Sequence, residues 1–335
     1  MPLPGTLLEP SLTEVDFVKS SLLSSIRPDG RSFLESRPLS VAFSSELGWV
    51  EVKLGQTRVL ATTYASLVAP RSDRPYEGIL ELRAEVQPMA GVQFERNRTG
   101  EEEVLFERAL DKAVRRSECL DREGLCVVAG QKVWSVVVTV HLLSAQGSAL
   151  DAAVLASILS LRHFRRPDVS IESDTGAGST TSASRKAAST TKPRVIVHDV
   201  SERVPIPLAL HHHPLAVSFA IFDKAHMASA VVSGVGGKTS TAATTAPQEG
   251  GDELENIIIL VDPTPLETTL CTSKMYVVAN VQGEICVLDK AGGRPLGEGV
   301  LQRVTEIARR RVKELAAVME AELQRDARDR VLEVR

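Results

Sequence analysis

The chain has 335 residues, which is enough for one large domain or two modest ones with a sizeable buried core. Hydrophobic residues make up 43% and charged residues 24%, with a net charge of −4, which excludes a globally basic binder of the histone type but not a local basic patch. Its four cysteines lack both C-x-x-C spacing and the density of a disulfide framework, so we expect reduced thiols, no metal site and no cofactor.

The first half of the chain is predicted to form strands after an N-terminal extension. Residues 1–25 make up that extension, with a short helix at about 14–23. Short β-branched runs separated by turn residues predict strands at 41–43, 48–54, 58–66 and 80–86. The alternation of side chains along 49–54 predicts one exposed face and one buried face.

Two helices and a long strand follow. Residues 101–119 predict a helix, because glutamates occupy its first turn, basic residues lie near its end, and apolar residues recur at helical spacing. Residues 125–143 predict a strand, and the Ala-rich residues 149–164 predict a helix that lies closely on a sheet. This order predicts an α+β layer with helices on one face of a sheet.

The second half is predicted to repeat this plan. Its strands are expected at 195–197, 215–222, 256–261, 275–281 and 284–288, and a long amphipathic helix at 297–325. We therefore predict one α+β domain over residues 26–325, built from similar βαβ-type halves at 26–172 and 194–325, with a C-terminal tail at 326–335.

Two segments are too poor in large apolar residues to form part of a core. Residues 173–193 and 233–252 consist mainly of Gly, Ser, Thr and Ala, and we predict that both are disordered loop insertions. The run Gly-Gly-Lys-Thr in the second segment does not complete a phosphate-binding loop, because Val232 stands where that motif requires glycine. No apolar run is long enough for a bilayer and no signal-peptide pattern is present, so we expect a soluble protein inside the cell with no membrane partner.

Histidines and basic residues are the remaining candidates for chemistry. The run His211-His212-His213 has no nearby cluster of acids or cysteines, so structural histidines are favoured over metal ligands, and no G-x-S-x-G motif supports a serine hydrolase. Arg96 and Arg98 lie in a loop before the first long helix. Any RNA contact there is expected to be to the backbone and salt-sensitive, since aromatic residues are scarce.

Four blocks of the sequence resemble the ribonuclease PH family. They are the R-x-D-G-R segment at 27–31 and residues 125–134, 163–170 and 207–220, and the resemblance runs from about residue 27 to 323. The blocks are most similar to a ring subunit of the eukaryotic RNA exosome. The resemblance implies a ribonuclease PH fold and a hetero-hexameric ring of such subunits. It also implies caps with OB-fold and KH domains, a separate hydrolytic exoribonuclease, and RNA as partners.

The same resemblance implies that the catalytic site is degenerate. Active relatives cleave RNA with inorganic phosphate, which they bind through an arginine in a G-G-T-R-T-like turn. Here the turn is Gly-Ser-Ala-Leu-Asp-Ala, so Leu150 replaces that arginine and Asp151 adds a negative charge; the degenerate phosphate site is Ser148, Ala149, Leu150 and Asp151.

The second feature of active relatives is a pair of aspartates about six residues apart, which place a metal ion and the leaving group. The positions here are near Leu266 and Thr272, and Glu267 could shift into the first role. We therefore predict no catalytic residue and no metal.

The predicted function is a non-catalytic ring subunit that scaffolds the complex and guides RNA toward 3′→5′ degradation and processing, including rRNA and mRNA. The family resemblance assigns RNA contacts to Arg98, Arg108 and Arg115, and less directly to Arg96. A phosphate-dependent exoribonuclease, or a composite active site with a neighbouring subunit, remains the alternative. The expected location is the nucleus and nucleolus, and also the cytoplasm.

Overall fold

The structure is a computed structural model that describes residues 10–91, 94, 100–172, 194–199, 201–224, 227 and 256–330. Both predicted insertions, at 173–193 and 233–252, lie outside the described residues, as do Arg96 and Arg98. In the described part of the chain, no helix combines the length and the apolar character that crossing a membrane requires.

A six-stranded sheet forms the first half of the fold. Its strands are β1 (Leu39–Phe43), β2 (Trp49–Leu54), β3 (Thr57–Val68), β4 (Ile79–Val86), β5 (Cys126–Val128) and β6 (Lys132–Ser144). The order is β1-β2-β3-β6-β4, with β5 also paired to β6. Among these strands, β4 and β6 form the one parallel pair. The continuous apolar run along β6 follows from its central place, because Val136, Val138 and Val140 are fully buried beneath helices.

Two helices cover this sheet. They are α2 (Glu101–Val114) and α3 (Ala149–His163). Helix α3 is buried on almost every side, since it contacts β2 and β3 and also a strand of the second sheet. Its many alanines allow this close approach from two directions, which explains why it has no single apolar stripe.

Two short ribbons connect the halves, and a second sheet follows. The ribbons pair β7 (Arg165–Arg166) with β10 (Ile206–Pro207) and β8 (Val169–Glu172) with β9 (Arg194–Val197). The second sheet contains β11 (Leu215–Asp223), β12 (Ile257–Val261), β13 (Ser273–Ala279) and β14 (Ile285–Ala291) in the antiparallel order β12-β11-β13-β14. A short helix, α4 (Pro265–Leu270), links β12 to β13.

Helices cover both faces of the second sheet. The long helix α5 (Glu298–Asp329) packs on β11 and β13 through a stripe that includes Val304, Ala308 and Val312. On the other face lies α1 (Leu12–Leu23), whose Val18 and Leu22 are buried against apolar side chains of β11 and β12. The predicted N-terminal extension therefore contains a helix that is part of the packed structure.

The α+β class is confirmed, and several predicted boundaries are corrected. Helix α2 ends at Val114 instead of residue 119, because the Ser117 hydroxyl donates to the last helical carbonyls and Glu118 adopts a positive φ of 56°. The stretch 125–143 is two strands joined by a turn at Gly130, whose φ is +71°. Helix α5 continues to Asp329, into the predicted tail. The sequence pattern predicted β9 but missed the other three ribbon strands and the short helix α4.

Candidate phosphate and RNA site

The turn that precedes α3 packs directly against the segment after β12. Gly147 and Ser148 both have positive φ, at +92° and +44°. A Cβ atom at Gly147 would lie 2.3 Å from the carbonyl oxygen of Pro263, so only glycine fits there. The Ser148 hydroxyl donates to the same carbonyl at 3.4 Å. The turn predicted from the family resemblance to correspond to the phosphate-binding turn is therefore in close contact with a second loop.

Arg37 holds these two segments together. Its Nε and Nη2 donate to the two carboxylate oxygens of Asp262 at 2.9 and 2.6 Å. The remaining donors reach the Thr57 hydroxyl at 3.3 Å and the carbonyl oxygens of Gln146 and Gly147. A guanidinium carries five N–H donors, and each of these has an acceptor here. Arg37 therefore has no donor left for an anion.

Asp262 is a buried carboxylate that its arginine partners keep ionised. Its side chain is 2% exposed, and Arg31 Nη1 adds a third guanidinium contact at 3.1 Å. Burial by itself would raise the pKa of Asp262, but the hydrogen bonds and the charge of Arg37 outweigh it and lower the pKa below its ordinary value. Asp262 has a φ of +50°, a left-handed conformation that aspartate tolerates better than most residues. The negative charge of Asp262 and the positive charge of Arg37 neutralise each other in this ion pair.

The R-x-D-G-R segment serves this same loop. Arg27 is 1% exposed, and it donates to both carboxylate oxygens of Glu267 at 2.9 and 2.6 Å. It also donates to the carbonyl oxygens of Val261 and Asp262. Glu267 in turn accepts from the backbone N–H of Thr264 and so caps α4. The suggestion that Glu267 takes over a catalytic acid's role is wrong, because this fully buried carboxylate already has its partners.

Asp151 faces β11. Its carboxylate accepts hydrogen bonds from the Ser218 backbone N–H at 2.9 Å and from the Ser218 hydroxyl at 2.6 Å. Burial raises the pKa of Asp151 to about 7, although the Ser218 hydrogen bonds favour the charged form. The repulsion of phosphate expected from Asp151 is therefore incomplete at neutral pH. Leu150 packs against the main core, where an aliphatic side chain is well accommodated.

These residues do not fit a divalent cation. Across the described ranges, no three His, Cys, Asp or Glu side chains come together as a metal would require. The nearby acids Asp262 and Glu267 are both bound by arginines. At Thr272, the hydroxyl accepts a 3.4 Å hydrogen bond from the Asp223 backbone N–H, and no acid takes the second metal-placing position.

The structure describes two of the predicted RNA-binding arginines, Arg108 and Arg115, and they differ in whether the guanidinium has a partner. Arg108 is exposed on α2, and no hydrogen bond or ion pair joins it to another described residue. Arg115, one residue past the end of α2, forms a bidentate pair with Asp111, which raises the pKa of Arg115 and lowers that of Asp111. Lys112 pairs with Asp289 on β14 at 2.9 Å. Of these two arginines, Arg108 is the one whose guanidinium has no partner among the described residues.

A basic cavity near the end of α2 was missed by the sequence analysis. Its volume is about 380 Å³, and its arginines come from the β3–β4 connection and from the region after α2; they are Arg71, Arg74, Arg115, Arg116 and Arg122. The two groups are separated by about forty residues in the sequence, so no local pattern joins them. The available signal was the Arg-x-x-Arg spacing just before Pro75.

Comparisons with known proteins agree with this architecture. Residues 35–167 match domain 1 of the 3′ exoribonuclease family and residues 250–311 match domain 2. Exosome complex component rrp45 of Schizosaccharomyces pombe is 34% identical over 286 residues, covering 85% of this chain and 81% of that protein. RRP45 of Saccharomyces cerevisiae is 35% identical over 294 residues, covering 86% and 83%.

A solved structure described as "archaeoglobus fulgidus exosome with RNA bound to the active site" is similar in fold. Its TM-score is 0.66 at 22% identity, with 91% of this chain and 97% of that chain covered. At this identity, the likeness establishes the fold alone.

Proposed function

The chain belongs to the 3′ exoribonuclease family of ribonuclease PH type, and on that premise we propose that it is a ring subunit of an RNA exosome core. The support is that both yeast relatives are named exosome complex components and that this chain covers more than four fifths of each. Its partners would be other ribonuclease PH-like subunits in a hetero-hexameric ring, OB-fold and KH-domain caps, and a hydrolytic exoribonuclease. Its place would be the nucleus and nucleolus, with a further pool in the cytoplasm.

The subunit would scaffold the ring without cleaving RNA itself. The observation that carries this proposal is the saturation of Arg37, the guanidinium nearest to the turn that would hold phosphate. Leu150 supplies no replacement donor, and Asp262 and Glu267 are engaged in ion pairs. Phosphorolysis requires charge-assisted donors for the attacking phosphate. This turn carries no cationic side chain, and its Ser148 hydroxyl already donates to the Pro263 carbonyl oxygen.

Purified chain, incubated with labelled RNA in the presence and absence of inorganic phosphate, tests this proposal. We expect no phosphate-dependent release of nucleoside diphosphates. Release at a rate comparable to that of an active family member would overturn the non-catalytic assignment. Co-purification tests the scaffold role, since we expect other ribonuclease PH-type subunits to accompany the tagged chain, whereas recovery of a monomer or homo-oligomer alone would argue against it.

The subunit would also guide RNA for degradation and for processing of rRNA and mRNA. Arg108 supports this role, because its exposed guanidinium has no partner in the described part of the chain and is available to phosphate groups. Arg98 joins it on the strength of the family resemblance alone. The same free guanidinium would allow Arg108 to contribute to a composite site with a neighbouring subunit.

Replacement of Arg108 by glutamate tests the guiding role. In the assembled ring, Arg108→Glu should reduce nuclease protection of bound RNA and leave the subunit composition unchanged. Arg303→Glu is the matched control, because Arg303 is an exposed arginine on α5. Equal protection in the native ring and in both variants would remove Arg108 from the RNA path.

A further inference from the structure

The basic cavity beside α2 brings together arginines from three parts of the chain. Arg71 and Arg74 come from the β3–β4 connection, Arg115 and Arg116 from the end of α2, and Arg122 from the segment before β5. The cavity lies next to the exposed turn that carries Ser72 and Asp73, and it opens to solvent. None of the proposed functions above requires these arginines to converge.

Carboxylates hold most of these guanidinium groups without neutralising all of them. Asp111 binds both Arg115 and Arg116. Glu77 lies 3.1 Å from Arg74 and 3.6 Å from Arg122, and Glu118 lies 3.0 Å from Arg122. The described side chains that line the cavity or pair with its arginines therefore include five guanidinium groups and three carboxylates. Two positive charges remain.

These ion pairs leave several N–H donors of the arginines free. Arg116 uses only Nε toward Asp111, so both of its terminal nitrogens are unengaged by described residues. Arg71 is exposed, and no ion pair or side-chain hydrogen bond connects it to a described residue. A guanidinium that is already held by an acid loses little conformational freedom when it binds an anion with its remaining N–H groups.

The lining favours phosphate over a base or an apolar partner. Its apolar side chains are Ile79 and Leu80, and no aromatic ring lines the cavity for a base to stack on. Guanidinium forks match phosphate oxygens in geometry and charge. A volume of about 380 Å³ is at the small end for a ligand pocket and suits one or two phosphate groups with their sugars.

We propose that this cavity, centred on Arg71, Arg74 and Arg116, is an RNA-backbone site that binds phosphodiester groups without base preference. The proposal rests on the RNA-guiding function and adds to Arg108 a second point of contact. Arg108 lies within α2, and the cavity is lined by Arg115 and Arg116 just beyond the last turn of that helix. A strand bound at both would be held by charge alone, so its affinity should depend steeply on salt.

The test uses the full chain assembled with its ring neighbours and a fluorescently labelled single-stranded oligoadenylate. Anisotropy titrations at several salt concentrations give the slope of log affinity against log salt. In the double variant Arg71→Gln, Arg74→Gln, this slope should become shallower by about 0.7 for each phosphate group that the protein no longer binds. Adding free inorganic phosphate, at constant ionic strength, should not displace the oligonucleotide from the native complex; full displacement would mean that the cavity binds free phosphate instead.

Arg83→Gln is a closely matched control. Arg83 and Arg74 have the same side-chain exposure of 58%, and each lies 3.1 Å from a glutamate, but Arg83 does not line the cavity. We expect its slope to equal that of the native complex. If the double variant also keeps the native slope while Arg108→Glu binds more weakly, the cavity proposal is overturned and the guiding function stands.

Two further outcomes would also overturn the proposal. If the native complex does not bind the oligonucleotide at all, both the cavity site and the guiding function fall. If the double variant loses a protein component of the complex while its remaining affinity for RNA is unchanged, the cavity is a protein contact and not an RNA site.

Discussion

Arg37 and Asp262 are 225 residues apart in sequence, yet the guanidinium of Arg37 binds both carboxylate oxygens of Asp262, at 2.9 and 2.6 Å. Asp262 follows β12 in the second sheet, and Arg37 precedes β1 in the first. The pair therefore ties the two halves together beside the turn that the family resemblance assigns to phosphate binding. Arg37 thus serves a structural purpose, because all of its N–H donors are bound within the chain.

Removing this arginine should destabilise the fold strongly. Arg37→Met leaves the buried carboxylate of Asp262 with Arg31 as its remaining guanidinium partner, and loss of one member of a buried pair costs about 3–5 kcal/mol. Urea unfolding measures the change. The control Arg58→Met removes a pair with Glu51 whose arginine is 50% exposed, and should cost less than about 1 kcal/mol. Equal losses in the two variants would show that the Arg37 pair is not special.

The contact between the α3 turn and the loop after β12 can be tested with a single methyl group. Gly147→Ala places a Cβ 2.3 Å from the Pro263 carbonyl oxygen in a backbone with φ +92°, so we expect a loss of about 3 kcal/mol or more. Gly130→Ala shares the positive φ but meets nothing within 4 Å, and it should cost only about 1 kcal/mol. Thermal unfolding of both variants compares them. Similar melting temperatures would indicate that the turn is open.

Asp151 should make the stability of the protein depend on pH. Its pKa is raised from 3.8 to about 7, so the folded state holds a proton that the unfolded state releases. The contribution of Asp151 is therefore fully present below the ordinary carboxyl pKa and is lost as the pH rises toward 7, at about 1.4 kcal/mol per pH unit.

The free energy of unfolding, measured by urea titration from acidic to neutral pH, checks this prediction. The advantage of the native chain over Asp151→Asn should shrink as the pH rises. Asp73→Asn, which alters an exposed carboxylate beside Ser72, is the control. If the native chain and Asp151→Asn give parallel curves, Asp151 does not titrate in this range.

Placing an arginine at position 150 should not produce phosphorolysis. Leu150→Arg returns a guanidinium to the turn, but Asp262 and Glu267 remain bound to Arg37 and Arg27, and no pair of free acids is created. Labelled RNA with inorganic phosphate should yield no nucleoside diphosphate above the native background. Clear phosphorolysis by a folded Leu150→Arg chain would mean that the single arginine was the whole deficit.

Local patterns predicted much of the fold. The glutamate-rich start of α2, the alanine-rich α3 and the amphipathic α5 follow from side-chain periodicity and charge within one helix. The end of α2 was misplaced because Ser117 bonds back to the helix, a detail that periodicity does not encode. Short elements such as α4 carry too few residues for a periodic signal.

The candidate site was predictable in composition but not in its contacts. The replacement of an arginine by Leu150 is visible in the sequence, whereas the saturation of Arg37 depends on partners from separate segments of the chain. The role of Glu267 was misjudged for the same reason, because its partner Arg27 is 240 residues away. Long-range pairing of charges is set by the packing of the two sheets, which no local window contains.

The most direct measurement is phosphorolysis by a reconstituted ring in which the active site of the neighbouring ribonuclease PH-type subunit has been disabled by mutation. Labelled RNA is supplied with and without inorganic phosphate, and released nucleoside diphosphates are quantified. Because Arg37 is fully bound to Asp262 and to the turn before α3, we expect no phosphate-dependent release from that ring. Release that persists, and that disappears when Ser148 and Leu150 are altered, would contradict it.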